Sequence, residues 1–205
     1  MKHTKESLII AEKISNEMDG KTFHHHYHIL YDIVNLFPKD QNLTYVEIGC
    51  YAGGSSCLIL QRPNTQVFAI DLANPIPQSV VMKNVNKFNI HNNKFEYIQG
   101  NSQQIVTLDK LKSLIDEIDV LFIDGDHSAQ GVKKDFSMYS PMVKQGGYIV
   151  FDDYLDNVHS PQVRGAVDEI VSNISGYEII GNLPNTFGAR PSTMTEGNCF
   201  VIKKI

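Results

Sequence analysis

Apolar and polar positions follow two alternating patterns along this chain. Short, nearly continuous apolar runs occur at Tyr45–Ile48, Val67–Ile70, Phe95–Ile98, Val120–Ile123 and Tyr148–Phe151, most of them closed by Gly or Asp. Between them, apolar residues recur at three-to-four spacing over Ser79–Asn89, Gln103–Glu117, Ala129–Met142 and Ser160–Ser172. A continuous run suits a strand buried on both faces, and the 3.6-residue period suits a helix packed by one stripe. Strand and helix in strict alternation predict a parallel sheet covered on both sides. Pro141 breaks the third of these helices near its end, and Ser160-Pro161 reads as a helix start, a cap followed by proline at the first position. Two consecutive strands, Tyr177–Ile180 and Asn198–Ile202, predict an antiparallel hairpin at one edge. A polar loop with Pro and Gly, Leu183–Glu196, joins them.

The first forty residues are patterned differently. Thr4–Met18 has helical spacing and stops at Asp19-Gly20; Thr22 can cap a second helix running to Phe37, stopped by Pro38. Leu30, Ile33, Val34 and Phe37 make its apolar stripe, and His24 and His28 share a face. Three readings are open for the histidines: incidental imidazoles on an exposed face, a lid whose histidines contact substrate, or a structural metal pair that lacks a helix-borne acid. The expected organisation is a helical extension or lid, residues 1–40, on a single domain, residues 41–205.

Composition narrows the class. A chain of 205 residues can bury one sizeable core, and 42% apolar with 20% charged residues is ordinary for a globular protein. Net charge is −5 and no basic run exceeds a Lys-Lys pair, which argues against a nucleic-acid partner. No apolar run approaches the roughly 20 residues of a membrane span, and MKHTKESLII lacks the core of a signal peptide. Cys50, Cys57 and Cys199 have no C-x-x-C spacing; they read as reduced thiols of a cytoplasmic protein. The expected partner is a small molecule, with homo-oligomerisation left open.

Candidate chemistry begins at Thr44–Asp71: strand, glycine loop, helix, strand, acid, the first half of a nucleotide-binding βαβ unit. The glycines allow close backbone approach, and the helix start offers free N–H groups. Asp71, 22 residues past Gly49, can accept both hydroxyls of a ribose. Tyr51 stands where a dinucleotide fingerprint has its middle glycine, and Glu47 is ill placed for a polyanion. A carboxylate there suits a positive charge, such as the amino group of S-adenosyl-L-methionine.

In Glu47, Gly49, Gly53 and Asp71 the chain resembles the class I S-adenosylmethionine-dependent methyltransferases. The resemblance implies a three-layer, Rossmann-like α/β fold with a seven-stranded, mostly parallel sheet and an antiparallel last strand. It implies a cofactor site drawn from Glu47, Gly49, Cys50, Tyr51, Gly53, Ser55, Asp71, Leu72, Asn101, Ser102, Asp124, Gly125 and His127. Asn101 and Ser102 match positions near the adenine, although Ser102 also reads as a helix cap.

Acids cluster where ligands bind in such sheets, at the carboxyl ends of the strands: Asp124-Gly125-Asp126-His127 after the fourth strand and Asp152-Asp153 after the fifth. Carboxylates that crowded repel one another unless a cation intervenes, and oxygen ligands favour a hard ion, Mg²⁺ first, then Mn²⁺ or Ca²⁺. Asp124 with Asp152-Asp153 resembles the metal-dependent O-methyltransferases, and DGDH followed by GGYIVFDDY is most similar to their sugar-modifying members. The resemblance implies methylation of a hydroxyl on a small polyol, a sugar or glycoside. It also implies a metal on Asp124, Asp152 and Asp153, with Asp126 as general base. His127 is the other candidate for the base, or a cofactor contact. Competing readings are a metal-independent methyltransferase, an NAD-type oxidoreductase and a non-catalytic cofactor-binding protein. Asp126 and Asp153 can also serve merely as caps.

Overall fold

The five continuous apolar runs come together as the parallel part of one sheet in the computed structural model, which describes residues 5–20, 27–183 and 199–205. The elements run α1 (Lys5–Glu17), α2 (Tyr27–Val34), β1 (Leu43–Ile48), α3 (Gly54–Ile59), β2 (Thr65–Asp71), α4 (Gln78–Phe88) and β3 (Lys94–Gln99). They continue α5 (Ile105–Lys112), β4 (Ile118–Ile123), α6 (Ala129–Tyr139), β5 (Val143–Phe151), α7 (Val163–Asn173), β6 (Tyr177–Leu183) and β7 (Cys199–Lys204). Among the described residues the seven strands are ordered β3-β2-β1-β4-β5-β7-β6. β1 to β5 pair in parallel, and β7 runs antiparallel to both β5 and β6. This is the expected Rossmann-like sheet with a reversed last strand.

Every residue of β1 and β4 is buried, which is why their sequences read as unbroken runs. Strand parity divides the core. Tyr45, Val67, Ala69, Val120 and Phe122 pack with α1 to α4, and Val46, Ile48, Phe68, Ile70, Leu121 and Ile123 pack with α5 to α7. Each such Val, Leu, Ile or Phe side chain taken out of water stabilises the fold by about 1.5–3 kcal/mol.

Several boundaries differ from expectation. α2 ends at Val34, not Phe37: the Leu36 amide donates to the Ile33 carbonyl at 3.1 Å, a tighter turn than the helix continues with. α5 covers only Ile105–Lys112 of the expected 103–117, since Ser113 folds its hydroxyl back onto the Lys110 carbonyl at 2.7 Å. α6 stops at Tyr139 and Ser140–Met142 forms a 3₁₀ turn, consistent with Pro141. α7 starts at Val163 with Gln162 before it, so Ser160-Pro161 is not its cap.

The N-terminal extension is built into the domain. Ile14, Met18, Ile29, Leu30, Ile33 and Val34 are buried in the same core cluster as Tyr45 and Leu58. Asn84 of α4 accepts the Asp19 amide at 2.8 Å and donates to the carbonyls of Asp19 and Ala52 at 2.9 and 2.8 Å. The fully buried Arg62 donates to the carbonyls of Pro38, Gln41 and Pro63, sewing the chain that leaves α2 to the turn before β2. His28 is buried in α2, among residues that pack on the sheet. His24 and most of the Leu183–Glu196 loop lie outside the described residues. No helix among the described residues is long and apolar enough to cross a membrane.

Candidate active site

The strand ends converge because their ladders run on past the sheet. The amides of Gly49, Gly100, Asp124 and Asp152 donate to the carbonyls of Ile70, Asp71, Ile48 and Ile123 at 2.8, 2.9, 2.9 and 3.1 Å. Gly49 has φ +82°, and a Cβ there would stand 2.0 Å from the Asp124 carbonyl oxygen. Glycine is therefore required by contact between two backbones as well as by conformation. The loop then turns through Tyr51 at φ 46° and Gly53 at φ 81°, which precedes α3.

Asp71 faces this loop. Its Oδ2 accepts the amides of Cys50 and Tyr51 at 2.9 and 3.1 Å, and its Oδ1 accepts the Ala73 amide at 2.7 Å. A cavity of about 560 Å³ opens beside it, within the usual range for a small-molecule site. Of the sequence-predicted residues, Gly49, Cys50, Tyr51, Ser55, Asp71, Leu72, Asn101, Ser102, Asp124, Gly125, Asp126 and His127 line this cavity. Ile48, Ile70, Asn74, Ile76, Gly100 and Gln103 line it too, without having been expected. Leu72 and Tyr51 are exposed at its edge and offer apolar surface.

Glu47 does not line the cavity. It shares a strand face with Tyr45, so its carboxylate points at α3, where it accepts from Ser55 Oγ at 2.6 Å, Ser56 Oγ at 2.5 Å and Tyr45 OH at 3.2 Å. Burial pushes its carboxyl up to about 7, against the pull of those hydroxyls. Expected to meet a cofactor amino group, the Glu47 carboxylate here links β1 to α3. Gly53 is likewise outside the cavity; a Cβ there would meet Val81 Cγ1 at 3.0 Å, so its place is set by packing and positive φ. His28 is not among the lining residues either.

Across the cavity from Asp71 the acids gather. Asp124, His127 and Asp153 each offer a ligand atom within 4.8 Å of the others. His127 Nε2 lies 3.2 Å from Asp124 Oδ1, and Nδ1 lies 3.3 Å from Asp153 Oδ2. Asp124 is pushed well above the usual carboxylate range by burial and by the charges of Asp152 and Asp153. The His127 ring is the basic group that touches both carboxylates. Two carboxylates and an imidazole, short of positive charge, fit a divalent cation. Asp152, expected as a ligand, is not in this set: it is buried, beside Asp124, and accepts the Cys199 thiol at 3.6 Å. Asp153 has φ 56°, and the two neighbouring carboxylates take different partners, Asp152 the Cys199 thiol and Asp153 the Ser160 hydroxyl. The sequence did not announce His127 as a third member, nor Ser160, whose hydroxyl reaches both His127 and Asp153.

Asp126 is exposed at the cavity wall. Its Oδ1 accepts the Ser128 amide at 3.0 Å and its Oδ2 accepts from Gln103 Nε2 at 2.9 Å. These donors, the Ser128 amide first, hold its carboxyl below the usual range. Ser102 lines the wall but donates to Asp135 at 2.7 Å, and burial raises that carboxyl to about 6.

Comparison with known proteins adds four likenesses. A profile described as a methyltransferase domain matches residues 46–154. The uncharacterized protein R132 of Acanthamoeba polyphaga mimivirus is 43% identical over 187 residues, 87% of this chain and 84% of that one. Among solved structures, an O-methyltransferase from Bacillus cereus in complex with SAH superposes with a TM-score of 0.68 at 18% identity, covering 98% of this chain and 90% of that one. The O-methyltransferase NovP superposes with a TM-score of 0.63 at 16% identity, over 95% and 97% of the two chains.

Proposed function

The chain belongs to the methyltransferase domain family, and from that premise we propose that it transfers a methyl group from S-adenosyl-L-methionine to a hydroxyl of a small polyol, a sugar or glycoside, assisted by a divalent cation. The observation that carries the proposal is one cavity with two unlike walls. One wall has Asp71, the glycine loop and exposed apolar edges; the other has Asp124, Asp126 and His127. The likeness to a fold solved with SAH supports the identity of the donor.

When bound, the sulfonium supplies an electrophilic methyl group and the cation supplies a Lewis acid that lowers the pKa of a hydroxyl. The chain's own residues do the rest. Asp71 would hold ribose hydroxyls while it fixes the loop amides. Leu72 and Tyr51 would flank the base, and Asn101 stands on the same wall. Asp124, His127 and Asp153 would hold the cation; the imidazole nitrogen moves the preference from Mg²⁺ towards Mn²⁺. Asp126 would take the proton of the acceptor hydroxyl. Its lowered pKa makes it a weak base, adequate only for a hydroxyl that is already acidified. Holding the two reactants aligned between these walls supplies much of the rate.

Calorimetric titration with S-adenosyl-L-methionine and with NAD, each with and without Mn²⁺, tests the proposal. The donor should bind and NAD should not, and a panel of polyols should gain one methyl group by mass spectrometry. Binding of NAD alone would overturn the proposal. A metal-independent methyltransferase is the second reading, favoured by the cap-like bonds of Asp126 and Asp153 to neighbouring residues. Full turnover in excess chelator would select it.

A further inference from the structure

The turn after β5 brings a serine to the acid cluster. Asp156 Oδ1 accepts the amides of Val158 and His159, both at 2.8 Å, and this turn carries Ser160 back under the site. Ser160 is 2% exposed. Its Oγ lies 2.6 Å from Asp153 Oδ2 and 2.7 Å from His127 Nδ1. A hydroxyl has a single proton to give, and a carboxylate oxygen can only accept. The Ser160 proton therefore goes to Asp153, and the contact with His127 requires that Nδ1 carry the ring proton and donate it to Oγ. The 3.3 Å approach of Nδ1 to Asp153 Oδ2 asks for the same proton. A neutral ring then has its lone pair on Nε2; with Asp124 Oδ1 3.2 Å away, the pair is two acceptors side by side, an arrangement that a shared cation, not a hydrogen bond, satisfies.

We infer that Ser160 is a positioning residue that fixes His127 in the Nδ1-protonated tautomer and so presents Nε2, with Asp124, as a ligand for the divalent cation. This rests on the cation-assisted reading above. Ligating histidines commonly donate their second ring N–H to an acceptor that sets ring and tautomer, and losing that acceptor typically costs 10–100-fold in metal affinity. Here the acceptor is a serine hydroxyl, itself held by a second member of the cluster. Ser160 does not line the cavity, so its effect on the methyl donor is separable.

Nitrogen-15 NMR of the histidine rings at alkaline pH, with His127→Gln to identify the signal, reads the tautomer without any metal. Mn²⁺ titration of the same proteins, followed by paramagnetic resonance, reads the ligand role. In the parent, His127 should be protonated on Nδ1. Ser160→Ala should lose that preference and bind Mn²⁺ 10–100-fold more weakly, with unchanged affinity for S-adenosyl-L-methionine; Ser160→Thr should restore both. A parent ring protonated on Nε2 overturns the inference, whether or not Ser160→Ala folds. Unchanged Mn²⁺ affinity in Ser160→Ala overturns the positioning role. A parent with the inferred tautomer that binds no Mn²⁺ overturns the cation reading alone.

Discussion

Oδ2 of Asp71 accepts the backbone amide of Cys50 at 2.9 Å, so the acid expected to hold a cofactor also holds the loop that surrounds it. The two roles can be separated by substitution. Asp71→Ala removes the hydrogen bonds to the loop amides together with any bond to a ribose, and each bond to a charged acceptor is worth about 1.5–3 kcal/mol. Donor affinity should fall at least tenfold by calorimetry. Asp71→Asn keeps one oxygen for the amides and should fall between variant and parent. Parent-like binding by Asp71→Ala would remove the residue from the site.

Glu47 makes stability depend on pH in an unusual direction for an acid. Its folded carboxyl, at about 7, lies above its value of 4.5 in the unfolded chain. The folded state therefore binds the proton more tightly, and stability is fully present below about 4.5 and is lost as pH rises through about 7. The loss is roughly 3 kcal/mol across that window. Glu47→Gln should lose this share of the pH dependence, keeping what Asp135 and Asp124 contribute, and should be more stable than the parent at pH 8 in urea unfolding. Parallel curves for the two proteins would show that burial does not hold the proton on Glu47.

The cation set can be ranked against its alternative. Asp124→Asn, Asp153→Asn and His127→Gln should each weaken Mn²⁺ binding more than Asp152→Asn does, because Asp152 lies outside the group whose ligand atoms come within 4.8 Å of one another. Chelator should abolish turnover and Mn²⁺ should restore it at lower concentration than Mg²⁺. A dominant effect of Asp152→Asn in the titration would restore the set expected from sequence.

Removal of the N-terminal extension should unfold the protein, not merely slow it. Deleting residues before Thr44 strips Ile14, Met18, Ile29, Leu30 and Ile33 from the core and uncovers α3. A milder probe is Asn84→Ala, which leaves the Asp19 and Ala52 carbonyls without a donor at a cost of about 1–3 kcal/mol. Because Ala52 is in the glycine loop, this variant should also weaken donor binding. A stable truncated domain with a normal melting profile would show the extension to be an appendage after all.

The sheet was legible because β1 and β4 are buried on both sides and so read as unbroken apolar runs. Asp71 was legible too, as an acid closing the second such run. Glu47 was misplaced because its distance from Gly49 drew attention away from strand parity, which puts it with Tyr45 and against α3. Ser160-Pro161 has every local mark of a helix start, and only the turn at Asp156 swings the serine onto His127. Asp152 and Asp153 look equivalent in sequence, and their different partners, the Cys199 thiol and the Ser160 hydroxyl, separate them. What escaped the sequence was fixed by long-range geometry, which neighbouring residue types do not encode.

Gly49 and Asp124 meet main chain to main chain, with no room for even one methyl group between them. The glycine loop and the acid cluster are consequently two faces of a single rigid gauge. Its opening is a property of the sheet, whichever side chains line the cavity. Methyl transfer tolerates little error in that span, since a misplacement of about 1 Å can cost about 10²-fold in rate. Side chains around the rim can therefore change without altering the span that this backbone contact sets.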